Sequence, residues 1–290
     1  MSKKVRKAVI PAAGFGTRFL PATKSMPKEM LPIIDRPAIH YAVEEAVKSG
    51  ITDIIIITGR GKNAIEDYFD HSYELEHTLE LKGKLEILAE VKAISDMANI
   101  VYIRQKEPLG LGHAVLRAKD FIGDEPFAVI LPDVLIANGP DCLEGLMKKY
   151  VETGVSTIAT TIVPDDQVHQ YGIIDPEGEG SEFKIKGVIE KPTLEDAPSR
   201  HSILGRYVFD PVIFKYLDGI GFSERGEIEL TDAILSMSEK EGLMGKNYEG
   251  TVFDTGDKLG FLRATVHMAL RHEKLNRDFR KYLKGIGDSE

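Results

Sequence analysis

Residues 54–57 are four consecutive isoleucines, set between Asp53 and Thr58. Successive side chains of a strand point to opposite faces, so this run is apolar on both. Such a strand is stable when helices cover the sheet on each side, which favours a mainly parallel sheet in an α/β fold. Four further Val/Ile-rich runs read as strands, at residues 7–12, 100–104, 127–131 and 156–163. Helical patterns lie between them. In residues 37–49, Ile39, Val43, Ala46 and Val47 share one helical face and Gly50 stands at the expected C-terminal cap. Residues 113–119 and 140–153 read as further helices, the latter closed by Gly154. Residues 74–90 read as a charged helical excursion on the surface. This alternation predicts a Rossmann-like α/β fold with right-handed crossovers.

The pattern changes in the second half. Residues 171–175, 183–190 and 203–209 read as short strands, broken by turns such as Pro176-Glu177-Gly178. They are expected to form an antiparallel addition to the same sheet. Helical periodicity returns from Asp257, where Leu259, Leu262, Val266 and Leu270 form one stripe expected to pack on the body. No repeat or linker divides the chain. It is expected to be a single domain over residues 1–290, with parts at about 1–160, 161–256 and 257–290.

Charge and cysteine content narrow the function. Lys and Arg number 37 and Asp and Glu 46, a net charge of −9, which argues against a nucleic-acid or anionic-membrane partner. Small anionic ligands remain open, since a few local donors suffice for them. The single cysteine, Cys142, rules out an intrachain disulfide and reads as structural. No apolar run approaches the ~20 residues of a membrane span. No export leader is evident, and a cytoplasmic protein is expected.

The first strand runs into Ala13-Gly14-Phe15-Gly16-Thr17-Arg18. Open α/β sheets bind ligands beyond the carboxyl ends of their strands, and glycines there let the backbone approach a ligand. The two glycines alone read as an ordinary turn. A dinucleotide-binding loop is opposed by Phe19 at the third glycine position, by Pro21, Pro27 and Pro32, and by a second strand ending Thr58-Gly59-Arg60 without an acid. The phosphate loop of nucleotide triphosphatases is absent. The cations that follow change the weighting. Arg18, Lys24 and Lys28 stand on a proline-stiffened segment that can hold charge against a triphosphate. Lys24 reads equally well as solvated.

The string Gly-x-Gly-Thr-Arg followed by Pro27-Lys28 resembles the signature of the sugar-1-phosphate nucleotidylyltransferases, and Pro11 to Pro32 resembles the bacterial UTP–glucose-1-phosphate uridylyltransferase family. The likeness continues through Gln105 to Ala114, Leu131-Pro132-Asp133, Tyr171 to Ile174, Val188 to Pro192, Gly226 to Asp232 and Phe253 to Gly256. Glu229 departs from the family's usual Gln.

The resemblance implies an enzyme that converts UTP and glucose 1-phosphate to UDP-glucose and pyrophosphate, with Mg²⁺ as cofactor and a homo-oligomeric assembly. It makes Arg18, Lys28 and Lys191 the catalytic cations. It places the nucleotide on Ala13, Gly14, Gly16, Thr17, Glu29, Gln105, Gly110 and Gly112. It places the sugar on Gly172, Glu190, Lys191 and Gly205, and gives the metal to Asp133 and Asp254, the latter directly or through water. The part at about 1–160 would then bind nucleotide and that at about 161–256 sugar. His113 reads as a helix-start residue near the nucleotide rather than an acid–base group. Three alternatives stand beside this reading: a dTTP-using glucose-1-phosphate thymidylyltransferase, a nicotinamide-dependent oxidoreductase and a non-catalytic nucleotide-sugar sensor.

Overall fold

The computed structural model describes residues 4–138 and 141–287. In chain order its strands are β1 (Lys7–Ala12), β2 (Pro32–Ile33), β3 (Arg36–Pro37), β4 (Asp53–Thr58), β5 (Asn99–Arg104), β6 (Phe127–Ile130) and β7 (Val134–Asn138). They continue with β8 (Thr157–Ile162), β9 (Gly172–Glu177), β10 (Glu182–Glu190), β11 (His201–Phe209), β12 (Met244–Asn247) and β13 (Thr251–Asp254). Nine of these form one sheet in the order β5-β4-β1-β6-β11-β8-β12-β10-β9. β5, β4, β1 and β6 run parallel, as the apolar runs predict.

The isoleucine run divides between two cores. Ile55 and Ile57 join Val9, Phe127, Val129 and Phe209 on one face. Ile54 and Ile56 join Ile10, Ile130, Ile39 and Val43 on the other. The helix Ala38–Lys48 covers that second face together with Cys142–Thr153. The expected start of the latter helix at Pro140 lies outside the described residues. The excursion forms two helices, Tyr73–Leu81 and Leu85–Ser95, whose residues are mostly exposed.

Three expectations need correction. The strands β9, β10 and β11 pair antiparallel as expected, but the addition also contains β12, which the sequence did not announce and which enters between β8 and β10 and runs parallel to β8. Its four residues, Met-Gly-Lys-Asn, carry no hydrophobic pattern that would announce a strand. β9 runs through Pro176 and Glu177, which were expected to turn. β9 pairs with β10 along its length and with β11 only at Ile173, so a missing N–H at Pro176 is tolerated. Finally, the stripe on the helix Lys258–Ala269 faces outward, with Leu259 56% and Leu262 60% exposed. The helix has a second apolar face, and Phe261, Ala264 and Met268 pack it against Ile33, Ala38 and Leu135.

Candidate active site

The carboxyl ends of β1 and β6 supply the centre of the site. Past β6, Asp133 stands in a turn before β7, which pairs with β13 in a separate ribbon. Asp254 ends β13 and is registered against Val134, so the ribbon brings two carboxylates 121 positions apart to one end. The Asp133 carbonyl accepts hydrogen bonds from Thr255 N (2.7 Å) and Thr255 Oγ1 (2.9 Å). Asp254 Oδ1 accepts from Gly256 N at 2.8 Å.

Gly256 marks where these groups converge. A Cβ there would lie 2.7 Å from Arg18 Nη2, 2.9 Å from Asp254 Oδ1 and 3.0 Å from Asp133 Oδ2. Arg18 reaches the spot from the turn Thr17–Phe19, with Nη1 4.0 Å from Asp254 Oδ2. Lys28 reaches it from the turn Lys28–Met30 and donates to Asp133 Oδ2 at 2.7 Å. Gly16 joins these segments in the left-handed conformation, φ 66°, and a Cβ on it would meet Lys28 Cβ at 3.0 Å.

The two carboxylates titrate in opposite directions. Burial disfavours ionised Asp133, but the Lys28 charge, its hydrogen bond and Arg18 outweigh this and hold the carboxyl below the usual range. Burial, and then the Asp133 charge, push Asp254 up. Among the described residues no group of three or more His, Cys, Asp or Glu could hold a metal. Two carboxylates facing one glycine-sized space instead fit a hard divalent cation such as Mg²⁺, which takes one or two protein carboxylates and completes its shell with water and phosphate oxygens.

The base-binding candidates lie beyond β5. Gln105 is buried, and its Nε2 donates to the Gly110 carbonyl at 3.1 Å and lies 2.9 Å from His113 Nδ1. The carbonyl accepts only, so it fixes the amide orientation and leaves Oε1 for a ligand donor. It also requires His113 Nδ1 to be the unprotonated acceptor. Burial, and then Arg117, lower the His113 pKa, in keeping with a neutral ring. Gly110 and Gly112 have a more local reason to be glycine. A Cβ on either would meet the Ile228 carbonyl, at 2.7 and 2.8 Å. Gly112 N donates to Ile228 O and Ile228 N to Leu109 O, so residues 109–112 are zipped to residues 227–229.

The sugar-side candidates gather at β9 and β10. Glu190 ends β10, and a Cβ on Gly172 would come within 3.2 Å of Glu190 Oε2. Lys191 is held at φ 48°, a left-handed conformation unusual for a residue with a side chain. Its N–H donates to the Tyr171 carbonyl, and its Nζ lies 3.4 Å from Glu190 Oε1. The Tyr171 hydroxyl is pushed up to about 12 by burial and then by Asp254 and Asp257, which ties this end of the site to the carboxylates.

Other sequence candidates take less direct places. Gly14 and Thr17 are exposed, and Ala13 packs beside Gly59, whose Cβ would meet the Ala13 carbonyl at 2.8 Å. Glu29 is buried, 2% exposed, and its Oε2 accepts from buried Lys62 Nζ at 2.6 Å. Gly205 is buried beneath the Asp133 turn, with Leu131 N donating to its carbonyl. Lys24 is exposed. Burial, and then Glu45, push the Cys142 thiol up to about 12, which makes it inert at neutral pH.

Sequence reasoning missed Lys62, Arg225 and the part played by Gly256. Arg225 Nη2 lies 2.8 Å from Glu229 Oε1 and 3.5 Å from Glu190 Oε1. The departure of Glu229 from the glutamine that the family resemblance leads one to expect was the available signal that a nearby cation had been overlooked.

A nucleotidyl transferase family profile matches residues 7–270. A UTP–glucose-1-phosphate uridylyltransferase of Bacillus subtilis is 52% identical over 99% of both chains. A UTP-bound UGPase from Acinetobacter baumannii superposes with TM-score 0.89 at 43% identity, covering 96% of this chain and 98% of its own. A UDP-glucose pyrophosphorylase complexed with UDP-glucose superposes with TM-score 0.85 at 39% identity, covering 92% of this chain and 100% of its own. The chain belongs to the nucleotidyl transferase family, and these full-length relatives within it are glucose-1-phosphate uridylyltransferases.

Proposed function

We propose that this enzyme transfers a uridylyl group from UTP to glucose 1-phosphate by direct in-line attack on the α-phosphorus, releasing pyrophosphate. One observation carries the reading: Arg18, Asp133 and Asp254 face the single space at Gly256, with Lys28 bonded to Asp133. The names of the full-length relatives supply the substrates.

The nucleophile is a phosphate oxygen of the sugar phosphate, anionic at neutral pH, so neither a general base nor a covalent enzyme intermediate is needed. The protein's task is to hold two anions in line and stabilise the charge that develops between them. Arg18 serves the β and γ phosphates and Lys28 the α and β phosphates, and together they stabilise the departing pyrophosphate. Lys191 steers the sugar phosphate, and Glu190 accepts from sugar hydroxyls. Gln105 Oε1 accepts the ring N–H of uracil, a donor that cytosine lacks. Asp133 and Asp254 are the residues that would hold Mg²⁺, which would offset charge on the phosphate oxygens. The nucleotide side then occupies about residues 1–160 and the sugar side about residues 161–256.

Among the described residues no helix is long and apolar enough to cross a membrane. The proposed setting is the cytoplasm, and the proposed assembly is a homo-oligomer.

Pyrophosphate release over a panel of nucleoside triphosphates and sugar 1-phosphates, with and without Mg²⁺, tests the reading. UTP with glucose 1-phosphate and Mg²⁺ is expected to be the best combination. A preference for dTTP would move the protein to the thymidylyltransferases, and no turnover with any pair would favour a sensor.

A further inference from the structure

Among the described residues Arg206 is the largest fully buried side chain, 1% exposed, in the middle of β11 opposite Ile130. A residue so placed would ordinarily be apolar, and each of its donors has a partner. Nη1 donates to the carbonyls of Leu131 (3.1 Å) and Gly205 (3.3 Å). Nη2 donates to the Val134 carbonyl and to Glu45 Oε2, both at 2.8 Å. Nε donates to both Glu45 oxygens, at 3.1 and 3.0 Å. Glu45 comes from the helix Ala38–Lys48 and fixes the plane of the guanidinium.

The two carbonyls outside β11 are those flanking Pro132-Asp133. Arg206 therefore holds both ends of the turn from below, while Thr255 N and Oγ1 hold the Asp133 carbonyl from the ribbon that carries Asp254. Held at three points, the Asp133 carboxylate has a defined direction toward the Gly256 space. We propose that Arg206, oriented by Glu45, is a positioning residue for Asp133 and sets how well that carboxylate engages the metal–triphosphate. The proposal rests on the reading of Asp133 as a metal-holding carboxylate. A lysine could not replace Arg206, because one ammonium cannot donate in the guanidinium plane to Glu45 and also to two separated carbonyls. Groups behind a metal ligand commonly contribute about 10–100-fold to metal affinity or activity.

The test compares UTP binding by calorimetry in Mg²⁺ and in EDTA for the native protein, Arg206→Lys, Glu45→Gln and Asp133→Asn, with melting temperatures recorded for each. In the native protein Mg²⁺ is expected to tighten UTP binding. In Arg206→Lys that tightening is expected to fall about 10-fold or more, with binding in EDTA unchanged. The kcat per folded molecule should drop by a similar factor, and the KM for glucose 1-phosphate should stay within about twofold. Glu45→Gln keeps the shape and should shift both quantities in the same direction, which keeps the idea open to refutation if Arg206→Lys does not fold. A lower melting temperature with native Mg²⁺-dependent tightening and native kcat in the folded variants would overturn the proposal and leave Arg206 a structural residue. If Asp133→Asn also retained the tightening, the metal reading would fall and the proposal with it.

Discussion

Lys28 Nζ lies 2.7 Å from Asp133 Oδ2, so the proposed pyrophosphate cation and the proposed metal carboxylate hold each other in place. The Lys28 charge and its hydrogen bond are what overcome burial and keep the Asp133 pKa low. Replacing Lys28 by Met should cost about 10²–10³ in kcat/KM, the usual loss for one electrostatic donor. It should also let the Asp133 pKa rise, so the acid limb of the kcat/KM–pH profile moves to higher pH. Steady-state rates across the acid range check this; an unmoved acid limb would separate Lys28 from Asp133.

Asp254 makes a prediction of opposite sign. Its pKa is raised in the folded protein, so the fold binds the proton more tightly than the unfolded chain does. Stability from the neutral form is present at low pH and is lost as pH rises through the raised pKa. Asp254→Asn keeps an acceptor for Gly256 N and removes the buried charge. In EDTA its melting temperature should exceed the native value by an amount that grows as pH rises through that range, while turnover falls at least about 100-fold. Equal pH dependence in the two proteins would contradict the assigned cause.

Lys191 combines function with backbone strain. Lys191→Ala should raise the KM for glucose 1-phosphate and lower the rate about 10²–10³-fold, with UTP binding largely retained. Lys191→Gly should lose the same activity yet melt higher than Lys191→Ala, because glycine adopts φ 48° without the cost of order 1 kcal/mol that a Cβ brings. Kinetics on both substrates with paired melting curves distinguish these effects.

Gly256→Ala places one methyl group among Arg18, Asp254 and Asp133. Turnover should fall by about 100-fold or more, because misplacement by an ångström is enough to do so. Gly256 has no left-handed backbone conformation to lose. Near-native turnover in a folded variant would show that the reacting groups do not meet there.

The legible parts of this protein are those whose cause is local. Ile54–Ile57 announces a strand buried on two faces because the pattern needs no distant partner. The stretch from Pro11 to Pro32 sets two glycines and three cations close together in the sequence, so the proposed phosphate-binding segment needs no distant partner to be read. The illegible parts depend on contacts between remote positions. Glu29 looks like part of that segment, yet Lys62 draws it inside. Gly110 and Gly112 read as ligand-binding glycines, but their immediate constraint is the backbone of residues 227–229. On the helix Lys258–Ala269 two apolar faces compete, and only the packing of Ala264 against Ile33 and Leu135 decides between them. Arg206 and Arg225 carry no motif, and their meaning comes from Glu45, Glu190 and Glu229.

The most direct measurement is a single-turnover reaction with UTP labelled at the α-phosphorus, quenched at intervals with and without glucose 1-phosphate in the presence of Mg²⁺. The account predicts that label passes from UTP to UDP-glucose at the rate pyrophosphate leaves, that no label becomes attached to protein, and that no pyrophosphate forms without the sugar phosphate. Labelled protein, or pyrophosphate released ahead of UDP-glucose, would contradict direct in-line transfer.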